Sequence, residues 1–192
     1  DIISFEVMSG GAANSSFLVE TNTNNFVLSV CNEKSFNQAK NLANLLRHLD
    51  SRCFPTTKVI SSKDGELITS YKRTPVILKE YICGKVCEDI TLQMLFKLGN
   101  LIAQLHQIPA PEYLPKRFSY GVESFSQVIS ASPESWYSKW LKEKCDFILG
   151  GFSPRLPTGL VHGDVFLDNV LFNENNLIAI IDFEEACDYY KV

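Results

Sequence analysis

Residues 160–172 read LVHGDVFLDNVLF, a sequence in which two short apolar runs flank a polar loop. A second apolar run, residues 178–181, ends at Asp182. These patterns predict short buried strands whose loops present three oxygen-bearing side chains, Asp164, Asn169 and Asp182. Phosphoryl transfer from a magnesium nucleotide requires one carboxylate that orients and deprotonates a hydroxyl, and two hard oxygen ligands for the metal. We therefore predict Asp164 as the catalytic base and the other two as magnesium ligands.

The pattern His-Gly-Asp-x-x-x-x-Asn followed by Ile-Asp-Phe resembles the aminoglycoside phosphotransferase and choline kinase superfamily, which shares the protein-kinase fold. Within it, residues 157–172 are most similar to the kinase-fold homoserine kinases, and the similarity extends from Gly10 to Cys187. It implies an α+β, bilobal protein-kinase-like fold, with a small antiparallel-sheet N-lobe that contains one helix and a mainly helical C-lobe. It also implies that the family's helical lobe continues past residue 192, so that the C-lobe is expected to be truncated here.

The resemblance implies a small-molecule kinase that transfers the γ-phosphate of ATP, with Mg²⁺, to a hydroxyl of homoserine or a related amino alcohol. An aminoglycoside or choline kinase-like phosphotransferase is an alternative, and a nucleotide-binding pseudokinase scaffold is another. Gly163 stands where protein kinases usually have an arginine, which disfavours a protein kinase. The expected partners are ATP and a small hydroxyl-bearing metabolite.

Composition narrows the possible partners further. The 192 residues suit one medium domain or two small lobes, and 45% hydrophobic with 21% charged residues is ordinary for a globular protein. A net charge of -4 gives no electrostatic case for nucleic acid, and no apolar run reaches the ~20 residues of a membrane helix. The six scattered cysteines lie mostly among apolar neighbours, which indicates reduced, buried thiols in a cytoplasmic protein.

The predicted lobe boundary lies near Gly84, with residues 1–83 as the nucleotide-binding N-lobe and residues 84–192 as part of the C-lobe. Strand-like segments dominate before this point and helical periodicity after it. In the N-lobe a helix is expected to begin at Ser35, because Gln38 completes a capping box. Strands are expected at residues 2–7, 17–21, 26–30, 58–60, 67–71 and 75–82, with residues 58–60 and 67–71 paired as a hairpin.

Two helices are expected in the C-lobe. The first runs from Ile90 to about Gln107 with Asp89 as its cap, and the second covers residues 133–149. Periodicity places Leu95, Leu98, Ile102 and Leu105 on the inner face of the first helix. In the second helix Trp136, Trp140 and Phe147 recur at near-helical spacing and are expected to be buried.

The loop between the first two strands, residues 9–16, consists of small and polar residues. One interpretation is a phosphate-binding loop, because backbone N–H groups can approach phosphates closely where side chains are small. The simpler interpretation is a plain hairpin turn. We favour the phosphate role because the loop precedes the Asp164 motif in the same chain. The candidate contacts are Gly10, Gly11, Asn14 and Ser15.

The resemblance implies three further nucleotide contacts. Residues 80–82 resemble the segment between lobes, where adenine is read by backbone groups, here the carbonyl of Glu80 and the N–H of Ile82. Ser29 occupies the position at which most kinase-fold enzymes have a phosphate-binding lysine, and the homoserine kinases tend to have a small hydroxyl residue there. Lys34 is a possible substitute for that lysine.

Two residues near Asp164 are predicted to support it. By resemblance, His162 holds the loop through hydrogen bonds and does not transfer protons itself. Asp168 is open to two interpretations, since its carboxylate could accept backbone hydrogen bonds within the loop or face the acceptor.

Overall fold

The computed structural model describes residues 1–8, 14–153 and 155–191. The described strands are β1 (Ile2–Val7), β2 (Ser15–Thr21), β3 (Asn25–Val30), β4 (Thr69–Tyr71), β5 (Thr74–Glu80), β6 (Thr158–Val161), β7 (Val170–Asn173), β8 (Asn176–Ile180) and β9 (Cys187–Tyr190). The described α-helices are α1 (Phe36–Asp50), α2 (Leu92–Leu105), α3 (Phe125–Ala131) and α4 (Trp136–Gly151).

The chain forms two compact units. The first unit comprises Asp1–Asn100 and Val165–Asp182, and the second comprises Leu101–Asp164 and Phe183–Val192. The first contains the five-stranded sheet, α1 and the β7–β8 hairpin, and the second contains α3, α4 and the β6–β9 pair. The predicted lobe boundary near Gly84 stays a prediction.

The sheet of the first unit is antiparallel throughout, with the strand order β1-β2-β3-β5-β4. Helix α1 contributes Ala39 and Ala43, both fully buried, to a core cluster that also contains Cys31, Leu67 and Ile77. Small alanine side chains let the helix approach the sheet closely, and the apolar face of the sheet supplies the larger groups. This packing fixes the face of β3 on which Cys31 and Ser29 lie, because alternate residues of a strand share a face.

The predicted capping box at the start of α1 is present. The Ser35 hydroxyl accepts the N–H of Gln38 at 3.3 Å, and the Gln38 side chain accepts the N–H of Ser35 at 2.9 Å. Two N–H groups that have no partner inside the helix are thereby satisfied. The start of α1 is therefore fixed by local sequence.

The predicted hairpin of residues 58–60 with residues 67–71 is wrong. Strand β4 pairs with β5 instead, and Val59 forms only an isolated bridge to Lys79. The turn between β4 and β5 consists of Lys72 and Arg73, which both have positive φ angles, of 48° and 66°. Two left-handed residues are the geometry that two-residue hairpin turns favour, but lysine and arginine do not signal it in the sequence.

Helix α2 begins two residues later than predicted. The hydroxyl of Thr91 accepts the N–H of Met94 at 3.2 Å, so Thr91 and not Asp89 caps the helix. Leu95, which was expected on the inner face, is 48% exposed. The buried residues of α2 are Met94, Leu98, Leu101 and Leu105.

The expected burial of the α4 aromatic residues is also wrong. The helix is present, but Trp136, Trp140 and Phe147 are 79%, 52% and 80% exposed. Helical spacing shows that three side chains share a face, but it does not show what covers that face.

None of the helices in the described ranges combines the length and the apolar character that a membrane span requires. All six cysteines are free thiols, and Cys53 and Cys83 are exposed rather than buried.

Candidate functional site

The β7–β8 hairpin brings the two predicted metal ligands together. Asn169 directly precedes β7, Asp182 follows β8, and Val170 pairs with Ile180 in the ladder between them. The ladder ends in a backbone hydrogen bond of 2.9 Å from the N–H of Ile181 to the carbonyl of Asn169. The backbones that bear the two side chains are therefore neighbours within one unit.

The two candidate ligands differ in environment. Asn169 ends the short 3₁₀ turn Leu167–Asn169 and is 9% exposed, whereas Asp182 is exposed. Asp182 has a φ of +64°, in the left-handed region that few residues other than glycine, asparagine and aspartate adopt readily. Such strained positions concentrate at functional sites. Asp168 lies in the same turn and is exposed, which leaves both of its interpretations open.

Strand β6 leads into the loop that contains Asp164, in the second unit. His162 is 1% exposed, and its ring packs against Phe183 at 4.4 Å between centroids. Its Nδ1 accepts the backbone N–H of Asp164 at 3.2 Å. Because Nδ1 accepts, the ring proton of a neutral His162 lies on Nε2. The backbone of the half-buried Asp164 is thus fixed from within its own loop.

Gly163, between these two residues, has a φ of +85° and almost no free space around it. A Cβ atom at this position would lie 2.5 Å from the carbonyl oxygen of Glu185 and 3.1 Å from Cε2 of Phe118. The backbone conformation and the crowding both require glycine. The arginine of protein kinases therefore does not fit here.

Ser29, the penultimate residue of β3, is 2% exposed. Its hydroxyl lies 3.4 Å from that of Ser16 on β2, directly opposite in the ladder. Sequence reasoning missed Ser16, although the register offers a signal. Glu20 pairs with Asn25 beside the turn, and four residues further along each strand Ser16 lies opposite Ser29. Lys34, the proposed substitute for a third-strand lysine, lies between β3 and α1, where its N–H donates to the carbonyl of Cys31 at 3.3 Å.

The predicted phosphate loop is described only in part. Gly10 and Gly11 lie outside the described residues. Asn14 is half-buried, and the exposed Ser15 accepts a hydrogen bond of 2.9 Å from the side-chain amide of Asn32. The phosphate role of this loop stays a prediction.

Residues 80–82, the segment predicted to read adenine, lie at the end of β5. Their backbone N–H groups differ in whether a backbone carbonyl accepts them. The N–H of Glu80 donates to Lys58 at 2.8 Å, and that of Tyr81 donates to Asn25 at 3.0 Å. Within residues 1–8, 14–153 and 155–191, no backbone carbonyl accepts the N–H of Ile82. The adenine contact of Ile82 stays a prediction.

The residues that follow this segment, Gly84 and Lys85, contact the β7–β8 hairpin. Lys85 and Phe172 of β7 exchange two backbone hydrogen bonds of 2.8 Å each. A Cβ atom on Gly84 would lie 2.9 Å from the Cβ of Leu171, so the two backbones are in close contact. The first unit therefore contains Ser29, the predicted adenine contacts and the two metal-ligand candidates. Asp164 and His162 belong to the other, and a joint site of all of them stays a prediction.

Comparison with known proteins identifies relatives along nearly the whole chain. The sequence model of the phosphotransferase enzyme family matches residues 4–190. A homoserine kinase of Rhodospirillum rubrum is 29% identical over 187 residues, which cover 93% of this chain and 58% of the relative. The chain spans 58% to 61% of the length of the first homoserine kinases that it matches.

Solved structures confirm the predicted protein-kinase-like α+β fold. A spectinomycin phosphotransferase in complex with ADP and spectinomycin has a TM-score of 0.70 at 19% identity, covering 100% of this chain and 66% of its own. A microcompartment-associated aminopropanol kinase has a TM-score of 0.71 at 18% identity, covering 97% of this chain and 66% of its own. At these identities the similarity shows the fold alone.

We expect Gly163→Ala to destabilise the protein more than Gly65→Ala. Gly65 has a φ of +83°, close to that of Gly163, but no atom lies within 4 Å of its added Cβ. Gly65→Ala should cost only the backbone strain, roughly 1–2 kcal/mol, whereas Gly163→Ala should add an overpacking cost of about 1–3 kcal/mol. Urea denaturation of both variants measures the difference, and equal losses would show that the loop of Gly163 relaxes freely.

We expect Ser29→Ala to weaken nucleotide binding by no more than about five-fold, on the order of 1 kcal/mol. The hydroxyl of Ser29 already has Ser16 as a partner, so Ser16→Ala is the matched control and should have a similar effect. Fluorescence titration with a labelled ATP analogue measures both affinities. A collapse of affinity in Ser29→Ala alone would show that Ser29 contacts the nucleotide directly.

Proposed function

The chain belongs to the phosphotransferase enzyme family, and from this premise we propose that the protein transfers the γ-phosphate of ATP to the hydroxyl of homoserine or a related amino alcohol. The observation that carries the proposal is the pairing of Asn169 with the segment of Asp182 through the hydrogen bond of Ile181. Asn169 and Asp182 are two oxygen-bearing side chains at the same end of the β7–β8 hairpin. They form a suitable pair of ligands for a hard cation.

The donor atoms favour magnesium over softer metals. Asn169 offers an amide oxygen and Asp182 a carboxylate, and neither imidazole nor thiolate belongs to the proposed set. Oxygen-only donors suit Mg²⁺, which commonly takes one or two protein ligands together with substrate phosphates. A cation held by these two residues would supply positive charge that offsets the charge of the phosphates.

The nucleotide is proposed to lie against the first unit. We assign the N–H of Ile82 as the donor to an adenine ring nitrogen, and the carbonyl of Glu80 as the acceptor of the adenine amino group. Ser15, Asn14, Gly10 and Gly11 are proposed to surround the phosphates. Because a serine hydroxyl is neutral, the proposed contribution of Ser29 is to fill space beside the phosphates rather than to supply charge.

Asp164 is the proposed general base. The oxygen of the acceptor hydroxyl forms the new bond to the γ-phosphorus, the bond from that phosphorus to ADP breaks, and the hydroxyl proton passes to the Asp164 carboxylate. In a loose transition state the base acts mainly by positioning the hydroxyl and accepts the proton late. The hydrogen bond from Asp164 to His162 supports this role, since it fixes the backbone from which the carboxylate projects.

An amino alcohol is the proposed acceptor class. The sequence relatives include homoserine kinases, and a structural neighbour is an aminopropanol kinase. Homoserine and aminopropanol share a primary or secondary hydroxyl a few bonds from an amine. A cytoplasmic location, where ATP is available and thiols stay reduced, fits the six free cysteines.

A nucleotide-binding scaffold is the second candidate. The observation in its favour is Ser29, a buried neutral side chain at the position where kinase-fold enzymes usually have a lysine. Scaffold and enzyme differ in one measurable respect, because only the enzyme yields a phosphorylated product.

We expect Asp182→Asn to reduce turnover by orders of magnitude and to leave folding nearly unchanged. Asparagine removes one negative charge from the proposed magnesium site but tolerates the left-handed backbone that Asp182 adopts. The measurement is steady-state kinetics as a function of magnesium concentration, with a thermal melt. Asp64→Asn, which removes an exposed carboxylate from a turn, is the charge-matched control. Normal turnover in a folded Asp182→Asn protein would refute the ligand assignment.

We expect Asp164→Asn to lower turnover by about 10²–10⁴, the usual contribution of a positioned general base, without weakening ATP binding. Asparagine keeps the shape and one hydrogen-bond acceptor but cannot take the proton. The experiment detects phosphohomoserine and related products by mass spectrometry, beside a nucleotide titration of both proteins.

Two outcomes contradict the proposal in different ways. If Asp164→Asn turns over like the parent, Asp164 is not the base. If both proteins bind magnesium ATP and neither phosphorylates any small hydroxyl compound, the kinase function fails and the scaffold takes its place.

A further inference from the structure

The ring of Phe118 lies directly against the loop that presents Asp164. Its Cε2 atom is 3.1 Å from the position of a Cβ on Gly163, and the carbonyl oxygen of Glu185 lies 2.5 Å from that position. Gly163 is thus enclosed by a backbone carbonyl and an aromatic ring, all within the second unit. The ring is part of what limits the movement of the residue that precedes Asp164.

Phe118 is itself fixed by two aromatic neighbours. Its ring contacts that of Tyr120 at 5.7 Å in an edge-to-face arrangement, and that of Tyr189 on β9 at 6.1 Å. The Tyr189 hydroxyl donates a hydrogen bond of 2.8 Å to the carboxylate of Glu123. Desolvation, reinforced by Glu123, raises the pKa of Tyr189 to about 12, so the hydroxyl keeps its proton at any physiological pH.

The backbone of Phe118 is also held in place. Its carbonyl accepts the N–H of Gly121 at 3.0 Å and the hydroxyl of Ser124 at 3.4 Å. A Cβ on Gly121 would lie 2.7 Å from Glu123 Oε2 and 3.1 Å from the carbonyl oxygen of Phe118. The turn is therefore compact, and the hydrogen bond of Glu123 to Tyr189 ties it to β9.

A simpler interpretation is that Phe118 only contributes to the apolar packing of its unit. The comparison with Phe152 argues against it. Phe152 belongs to the same aromatic group and contacts Tyr189 at 6.5 Å and Tyr190 at 4.5 Å, but no atom of it is among the near neighbours of Gly163. Both rings are half-buried, so the contact with Gly163 and not the extent of burial distinguishes Phe118.

We propose that Phe118 is a positioning residue, which fixes the backbone of Gly163 and thereby aims the carboxylate of Asp164 at the acceptor hydroxyl. Tyr189 and Glu123 anchor the ring. The inference rests on the proposed function, since it assumes that Asp164 is the base. The physical reason is that transfer rates depend steeply on the placement of reacting groups, and a shift of about 1 Å can cost on the order of 100-fold in rate.

The test compares Phe118→Leu with Phe152→Leu in the complete protein. Both variants remove one ring from the same aromatic group. We expect Phe118→Leu to lower kcat at least about ten-fold while the KM values for ATP and acceptor change less than about two-fold. Phe152→Leu should lower the melting temperature and leave kcat within about two-fold of the parent. Phe118→Tyr, which keeps the ring, should restore kcat.

A second measurement does not depend on activity. The amide proton of Asp164 donates to His162, so its hydrogen exchange reports how well the loop is held. Exchange of this amide should accelerate in Phe118→Leu but not in Phe152→Leu. Equal effects of the two variants on kcat and on exchange, or no effect of either, would overturn the positioning role. If the parent phosphorylates no acceptor, the proposed function fails, while the exchange rates still decide whether Phe118 holds the loop.

Discussion

The hydrogen bond from the N–H of Ile181 to the carbonyl of Asn169 is the contact on which the candidate metal site depends. It closes the ladder of β7 and β8 at the point where one strand begins and the other has just ended. The residues next to it, Val170 and Ile180, have no exposed surface, so the hairpin is anchored by apolar burial. The N–H of Ile180 also donates to Pro55 at 3.1 Å, which ties the hairpin to the segment after α1. Asn169 and Asp182 are therefore brought together by backbone geometry, before any metal binds.

Left-handed backbone conformations occur on both functional loops. Gly163 and Asp182 each follow an apolar strand residue that is completely buried, Leu160 in one unit and Ile180 in the other. A strained residue persists only where its surroundings determine its conformation, and a buried strand just before it provides that constraint. Glycine avoids the strain at the crowded position of Gly163, and aspartate is one of the few other residues that tolerate the left-handed region at Asp182.

Local signals in the sequence predicted local structure well. The Ser35 capping box and the helical periodicity of α1 depend on residues three or four positions apart, and both were confirmed. The apolar runs that flank Asn169 and Asp182 likewise predicted the strands that bring them together. The partner of β4 was not predictable, because its turn uses Lys72 and Arg73, which lack the usual turn chemistry.

Contacts between distant segments account for what sequence reasoning missed at the site. Nothing near Asp164 in the sequence indicates that Phe118 contacts its loop, since the two segments meet only through the fold. The exposed aromatic face of α4 shows the same limit, because helical spacing identifies a face and burial depends on what packs against it. Periodicity therefore predicts the orientation of side chains, but not their environment.

The contact between Ser16 and Ser29 bears on how the charge of a nucleotide bound as proposed would be balanced. A lysine at the position of Ser29 would bring a positive charge into a site that is 2% exposed, at a desolvation cost of several kcal/mol unless an anion pairs with it. The hydroxyl of Ser29 instead lies 3.4 Å from that of Ser16, a contact between two neutral groups. If the nucleotide and the metal bind as proposed, the phosphates receive no cation from β3, and a metal at Asn169 and Asp182 would supply a larger share of the neutralisation. The hydrogen bond between Ile181 and Asn169, which sets the spacing of those two residues, would then matter more than in a kinase that also has the lysine. Without that lysine, no second positive charge would compensate for an error in the position of the metal.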